Sequence, residues 1–382
     1  VSQQIRIGNE TTISILLKEN LQTLDEIVVV GYGTQKKVNL TGAVEHITAA
    51  EIESRPIANV AQALQGKIPN VNITFSGGEP GLGGSINVRG LTSVNGGGPL
   101  VVVDGIPGDL NRINPNDIES ISVLKDAAAS AIYGARGAFG VVMITTKSAK
   151  EGKTKITYST YLASSSPLAN TDFMTNGYES VMLNDEAMLR STGNTYTRYA
   201  EEDYAVLKLR QFDRVEDPSR PWTVVKNVNG KDIYNYYGNY DWWHTFFTKH
   251  QLSHSHNVNV TGGNEKLNYM ISGSFYSKDG MLKINTDNFK SYTFRSKINA
   301  QRFPFLKITN NTQYYDSNYS YYGLEGGGNA SFINLRYHAI PAYAPFNPDG
   351  TSTYTTSKNS YSIGNGVTAL LADPHSKGVR GM

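Results

Sequence analysis

From residue 153 onward the apolar residues of this chain recur at every second position, which commits that part of it to β-sheet. Over residues 266–277, Leu267, Tyr269, Ile271, Gly273 and Phe275 fall on one face, and Asn268, Met270, Ser272, Ser274 and Tyr276 on the other. Residues 291–302 set Tyr292, Phe294, Ile298 and Ala300 against Thr293, Arg295, Lys297 and Asn299. Residues 306–315 set Leu306 and Ile308 against Lys307 and Thr309, and 155–163 and 254–261 complete five expected strands. The connections alternate in length. Gly262-Gly263-Asn264-Glu265 and Phe303-Pro304 are tight, whereas 164–252, 278–288 and the stretch from 316 onward are long. Barrels that cross an outer membrane have short turns on one side and long loops on the other. A soluble β-sandwich also alternates, so the strands taken alone fit both.

Composition narrows the choice of chemistry. Only 18% of residues are charged, with 37 glycines and 24 tyrosines among 382, a profile poor in helix formers and rich in turn and strand residues. The length allows two structural units at about 150 residues per domain. A formal net charge of +2 makes no electrostatic case for nucleic acid. The absence of cysteine excludes disulfides, thiolate chemistry and Cys-ligated zinc. No apolar run reaches about 18 residues, so no transmembrane helix is expected, while a transmembrane β-barrel remains open. Val1-Ser2-Gln3-Gln4 has neither a basic nor an apolar leader region, so any export signal is expected upstream or already removed.

Ahead of the alternating region the pattern is mixed. Residues 1–20 read as one or two strands turning at Gly8-Asn9, and Ile27-Val28-Val29-Val30 is a β-branched run closed by Gly31-Tyr32-Gly33. Residues 49–64 have helical spacing broken at Pro56. Short strands are expected at 71–75, 85–89, 100–104, 118–125 and 140–147. A short helix is expected at 126–133, with Asp126 as its N-cap and Gly134 ending it.

The string ISVLKDAAASAIYGARGAFGVVMITTK (121–147) closely resembles the end of the plug domain of SusC/RagA-type TonB-dependent receptors. Lys125, Asp126, Tyr133, Gly134, Arg136 and Gly137 belong to that string. INVRG (86–90), with Arg89 and Gly90, and PLVVVDGIP (99–107), with Asp104 and Gly105, match two further plug motifs in order and spacing. LDEIVVVGYGTQKK (24–37) resembles the segment that precedes the plug in this family. The resemblance implies a β-dominated membrane protein: an α+β plug followed by the start of an antiparallel transmembrane barrel of about 22 strands. It also implies four zones: the end of a carboxypeptidase-regulatory-like extension at 1–20, a TonB-box segment at 21–35, the plug at 36–150, and the first barrel strands and loops at 151–382. Five strands cannot close a barrel, and an open edge cannot sit in hydrocarbon, so further strands are expected to complete it.

The resemblance assigns roles. Asp25, Glu26, Ile27, Val28, Val29, Val30, Gly31 and Tyr32 would form the TonB box, an extended segment suited to joining a sheet edge of TonB. The plainer reading is an ordinary strand of the plug sheet. Arg89 and Arg136 are expected either to lock the plug to acids on the inner barrel wall or to pair locally, for example with Asp104 or Asp126. The plug glycines lack a following Gly-Lys-Ser/Thr and fit apical loops that approach the barrel wall better than a phosphate loop. His250, His254 and His256 have metal-ligand residue types without a carboxylate at ligand spacing, and fit a barrel lumen or rim better than a metal site. The aromatic runs 234–243 and 314–322 are expected to belong to the interfacial girdle or, because both adjoin the long loops, to stack on sugar rings of a ligand or contact a partner.

No nucleophile–His–acid set or paired acid–base spacing is present, so no enzyme, cofactor or metal is expected. The implied function is TonB-dependent import of glycan oligosaccharides with a SusD-like surface lipoprotein, in a barrel contacting outer-membrane lipid. Oligopeptide import, a signal-transducing receptor and a soluble β-sandwich adhesin are the alternatives.

Overall fold

The computed structural model describes residues 27–30, 33–36, 44–53, 59–75, 78–88, 90, 97–126, 130–149, 151–168, 170–322, 339–353, 371 and 374–381. The expected strands of residues 1–20 lie outside them. Among the described residues, strands β1 (Ile27–Val30) and β2 (Gly33–Lys36) pair only with each other, so the β-branched run stands apart from the described sheet that follows.

That sheet begins with β3 (Val44–Thr48) and is backed by two short helices, α1 (Ala49–Glu53) and α2 (Val60–Leu64), on either side of the Pro56 region. Asn59 caps α2 by accepting from the Gln62 amide at 2.9 Å. A hairpin of β4 (Val71–Thr74) and β5 (Ser85–Val88) follows, then β6 (Leu100–Val103), β7 (Ile106–Pro107), β8 (Ile118–Leu124) and β9 (Val141–Thr146). The sheet order is β3-β8-β9-β6-β7, with β6 and β9 parallel and the other pairs antiparallel. Strands β8 and β9 do not alternate because both faces of the sheet are covered. Ile121, Val123, Val142 and Ile144 pack under α1 and α2, and Leu124, Val141 and Met143 pack on the other side with Val102. Asp104 (φ 48°) and Gly105 (φ 87°) both take left-handed conformations, the demand of the tight turn joining β6 to β7.

The second body is an antiparallel wall of β10 (Gly152–Ser165), β13 (Gln251–Gly263), β14 (Leu267–Asp279), β15 (Asn288–Phe303), β16 (Leu306–Tyr322) and β17 (Pro374–Gly381). Its first five strands are those expected, each longer than the pattern indicated. The facing is also as expected. Ile156, Leu162, Val258, Ile271, Phe294 and Ile308 are exposed on the outer face, while Ser253, Ser255, Asn257, Ser272 and Arg295 are buried on the inner one. In water the hydrophobic effect would drive the opposite arrangement. A sandwich would bury its apolar face against a second sheet, whereas here the polar face packs on the mixed sheet. An aromatic ladder, Tyr158–His256–Phe275–Tyr292, crosses four strands on the outer face with neighbouring ring centroids 5.0–6.4 Å apart.

The stretch expected as one long loop is a folded lobe. Between β10 and β13 lie α3 (Gly177–Thr192), α4 (Glu201–Arg210), the hairpin β11 (Thr223–Val228) with β12 (Lys231–Tyr236), and α5 (Trp242–Phe246). Asn176 caps α3, and Gly193 (φ 77°) ends it in the left-handed position. The aromatic run 234–243 is not a girdle. Tyr236 and Tyr237 are buried with Tyr199 and Tyr343 in the lobe core, and Trp242 packs on Phe246 and Leu282. The core also takes Ile340, Ala342 and Ala344 from beyond β16. At its centre the fully buried Asp203 accepts from Lys226 Nζ at 2.8 Å and Tyr237 OH at 2.6 Å. The run 314–322 divides between faces: Tyr314 is exposed, whereas Tyr319 donates to Asp287 at 2.8 Å.

Candidate functional site

The mixed sheet meets the wall through polar groups, and Asp104 is their hub. The left-handed turn projects its carboxylate past the end of β9, where the Thr146 amide donates to Oδ1 at 2.9 Å and the Thr146 hydroxyl to Oδ2 at 2.7 Å. From the wall, Lys297 Nζ lies 3.0 Å from Oδ2, Asn311 Nδ2 donates at 2.9 Å, and Arg295 Nη1 stands at 3.5 Å. Arg295 and Lys297 are two apart on β15, so both project from the inner face. Arg295 also donates to Asn311 Oδ1 at 3.2 Å and to Gln313 Oε1, and its Nε lies 3.7 Å from Asp117 Oδ2. Gln313 in turn donates to the Arg112 carbonyl at 2.7 Å, and Asn114 donates to Asn257 at 2.9 Å. Lys297 completes the seam by donating to the Thr146 carbonyl at 3.1 Å.

The two acids experience this seam differently. Burial would raise the Asp104 carboxyl, but Lys297, the Thr146 amide and hydroxyl, and Asn311 outweigh it and hold the group below the usual carboxylate range. Burial dominates at Asp117 and pushes its carboxyl up against the pull of Ser272, Arg295 and Lys147. One acid is therefore a secure anion, and the other is held in a place that favours its neutral form.

Among the described residues the acids of the seam come from the mixed sheet and its bases from the wall. Arg136 is exposed in the 3-10 turn Ala131–Gly137, and Arg89 lies outside the described residues. Asp104 does pair, but with Lys297 and Arg295 of the wall. The other motif residues shape the mixed sheet. Lys125 Nζ bridges Glu45 at 3.1 Å and the Pro69 carbonyl at 3.0 Å. The Asp126 carbonyl accepts from the Ser130 amide at 3.0 Å. Tyr133 packs on the cluster around Leu124, and Gly134 (φ 57°) kinks the 3-10 turn. A Cβ on Gly137 would press on the Ser130 carbonyl, and Gly90 (φ 79°) needs its left-handed freedom. Of the segment Asp25–Tyr32, the backbone of Ile27, Val28, Val29 and Val30 is described, in the β1–β2 hairpin; Asp25, Glu26, Gly31 and Tyr32 lie outside the described residues. His254 and His256 sit on the outer face beside the long-loop end of β13, with His256 Nδ1 2.7 Å from Tyr158 OH.

Arg295, Lys297, Asn311 and Gln313 carry the seam without belonging to any motif. The signal for them was two cations at i, i+2 on the polar face of an alternating strand. One glycine behaves as expected of an apical loop: Gly81 (φ 79°) lies so close to Phe289 of β15 that a Cβ there would overlap the ring.

Residues 36–141 match the TonB-dependent Receptor Plug Domain family. TonB-dependent receptor P26 of Formosa agariphila is 33% identical over 359 residues, covering 92% of this chain and 32% of that protein. TonB-dependent receptor SusC of Bacteroides thetaiotaomicron is 31% identical, covering 74% and 25% respectively. A solved structure of the RagAB peptide importer in the open-open state aligns with a TM-score of 0.61 at 26% identity, covering 87% of this chain and 36% of that one. The chain thus spans about a third of the length of the curated relatives it matches. With a mixed sheet that matches the plug and a wall that is polar inside and apolar outside, the chain belongs to the SusC/RagA-type TonB-dependent receptors of the outer membrane.

Proposed function

We propose that the protein imports an oligomeric nutrient, glycan oligosaccharides first, across the outer membrane, with TonB supplying the force and a SusD-like surface lipoprotein presenting the substrate. The observation that carries this reading is the seam. A plug held by Asp104, Lys297, Arg295 and Asn311 exchanges those partners for water when it shifts, whereas an apolar interface would resist separation. In this reading the chain divides at 1–20 (extension), 21–35 (TonB box), 36–150 (plug) and 151–382 (barrel strands and loops). Asp25–Tyr32 is the handle: among the described residues β1 pairs with β2 alone, which leaves its other edge for a strand of TonB.

The test is Val29→Pro, which removes an amide donor from that edge. TonB-dependent uptake should fall to the level of a TonB-deficient strain while outer-membrane abundance and substrate binding stay unchanged. Unchanged uptake would refute the assigned handle. Oligopeptides are the second reading, supported by the likeness to the RagAB peptide importer.

A further inference from the structure

Strand β13 places His254 and His256 two residues apart on the outer face of the wall, where their rings meet. His254 Nδ1 lies 3.3 Å from His256 Nε2, with ring centroids 5.3 Å apart. The neighbouring strands hold both rings in place. From β14, Phe275 packs against them, its centroid 5.5 Å from that of His254 and 6.4 Å from that of His256. From β10, Thr160 Oγ1 stands 3.2 Å from His256 Nδ1, and Tyr158 OH stands 2.7 Å from it. The Thr160 hydroxyl donates its one proton to the Ser255 carbonyl at 2.8 Å, so toward His256 it can only accept. His256 Nδ1 therefore carries the hydrogen, and Nε2 presents a lone pair to His254. Without an ion, His254 Nδ1–H donates to that lone pair. With the His254 proton on its own Nε2 instead, two lone pairs face the same gap. His256 and Tyr158 are exposed, so the gap is reachable from outside.

We propose that His254 and His256 form a two-histidine site for a divalent transition-metal ion (zinc, copper or nickel) on the outer face of the wall. Two nitrogens that each bind one tetrahedral ion at about 2.0–2.1 Å are about 3.3–3.4 Å apart, the separation this pair already has. A metal-bound histidine donates its other ring N–H to an oxygen that fixes the tautomer. Thr160 and Tyr158 play that part at His256. Imidazole nitrogens suit these ions, whereas calcium and magnesium take oxygen ligands. Among the described residues no group of three ligating side chains forms. Two positions of the ion therefore stay open to water or to a headgroup oxygen of the surrounding lipid, and the ion is exchangeable. Spacing alone does not reveal the pair as a chelate, because Thr160, which sets its tautomer, is 96 residues from His256.

The intact receptor, free of any affinity tag and stripped of metal with a chelator, is titrated in detergent with Zn²⁺, Cu²⁺, Mg²⁺ and Ca²⁺ by calorimetry. The His254→Asn, His256→Asn double variant should lose one equivalent of bound Zn²⁺ and of Cu²⁺, with Mg²⁺ and Ca²⁺ titrations unchanged. Thr160→Val should weaken that equivalent about tenfold to a hundredfold, and Thr160→Ser should restore it. His244→Asn, in the lobe, should leave it as in the wild type. A second measurement needs no variant. Saturating Zn²⁺ should shield His254 and His256 of the wild type from carbethoxylation, read by mass spectrometry, and leave His244 reactive. Wild-type zinc binding in the double variant overturns the site. Equal reactivity of His254 and His256 with and without Zn²⁺ also overturns it, and shows a pair joined by a hydrogen bond alone.

Discussion

Lys297 Nζ lies 3.0 Å from Asp104 Oδ2, an ion pair that ties strand β15 of the barrel wall to the β6–β7 turn of the plug. Both side chains are largely buried, at 13% and 14% exposure. Removing one partner of such a pair strands the other and costs roughly 3–5 kcal/mol. Asp104→Asn should therefore loosen the plug, seen as faster proteolysis of the plug and higher leak conductance in planar bilayers. Lys297→Met on that background should restore part of the loss, because the ammonium nearest to the lost carboxylate is then removed and only Arg295 remains. Leak and protease resistance equal to wild type in Asp104→Asn would show that the seam does not hold the plug.

The two seam acids give opposite pH dependences. Asp104 is held below its ordinary value of 3.8, so its stabilisation is complete above that value and is lost as pH falls through its lowered one. Asp117 is raised above its ordinary 3.8, so its contribution is complete below that value and is lost as pH rises through its raised one. Both contributions are complete only near pH 3.8, so the seam is tightest there, with Asp117 protonated and Asp104 ionised. Plug retention, measured as protease resistance across pH, should peak there. Asp117→Asn should flatten the neutral side of the peak and leave the acid side in place.

At Gly81 a side chain meets both a left-handed backbone and the Phe289 ring. Gly81→Ala should lower the stability of the seated plug by roughly 1–3 kcal/mol through overpacking, with backbone strain added. The melting temperature of the solubilised receptor measures it. Phe289→Ala on the Gly81→Ala background should recover the packing part of the loss and leave the backbone part.

Ile271 sits on the outer face near the middle of β14, and its neighbour Ser272 is buried on the inner one. Ile271→Arg should cost roughly 2–4 kcal/mol if that face meets the bilayer midplane. Folding titrations into lipid vesicles would measure the loss. A soluble outer face would accept the same arginine within about 0.5 kcal/mol.

Much of the candidate site could be read locally. The alternation from Tyr292 to Asn299 already set Arg295 and Lys297 on the inner face, and Asp104-Gly105 already marked a tight turn. Their meeting could not be read, because Arg295 and Asp104 are 191 residues apart and no periodicity crosses from one body to the other. Charge alone does not fix which body carries which sign, since a buried pair needs only that the two be opposite. The place of the aromatic run 234–243 is undecided locally for a related reason. Tyrosine and tryptophan suit both a membrane interface and a small core, and the choice fell to Tyr343 and Ile340, which return from beyond β16 to bury Tyr236.

The sequence by itself determined the first five strands of the wall and which way they face, because period and turn chemistry act over a few neighbouring residues. Only the tertiary structure decided that, among the described residues, the plug gives the seam its acids and the wall its bases, and that a long loop is a folded lobe. Those features depend on contacts between distant segments, made only when the plug and lobe pack against the wall.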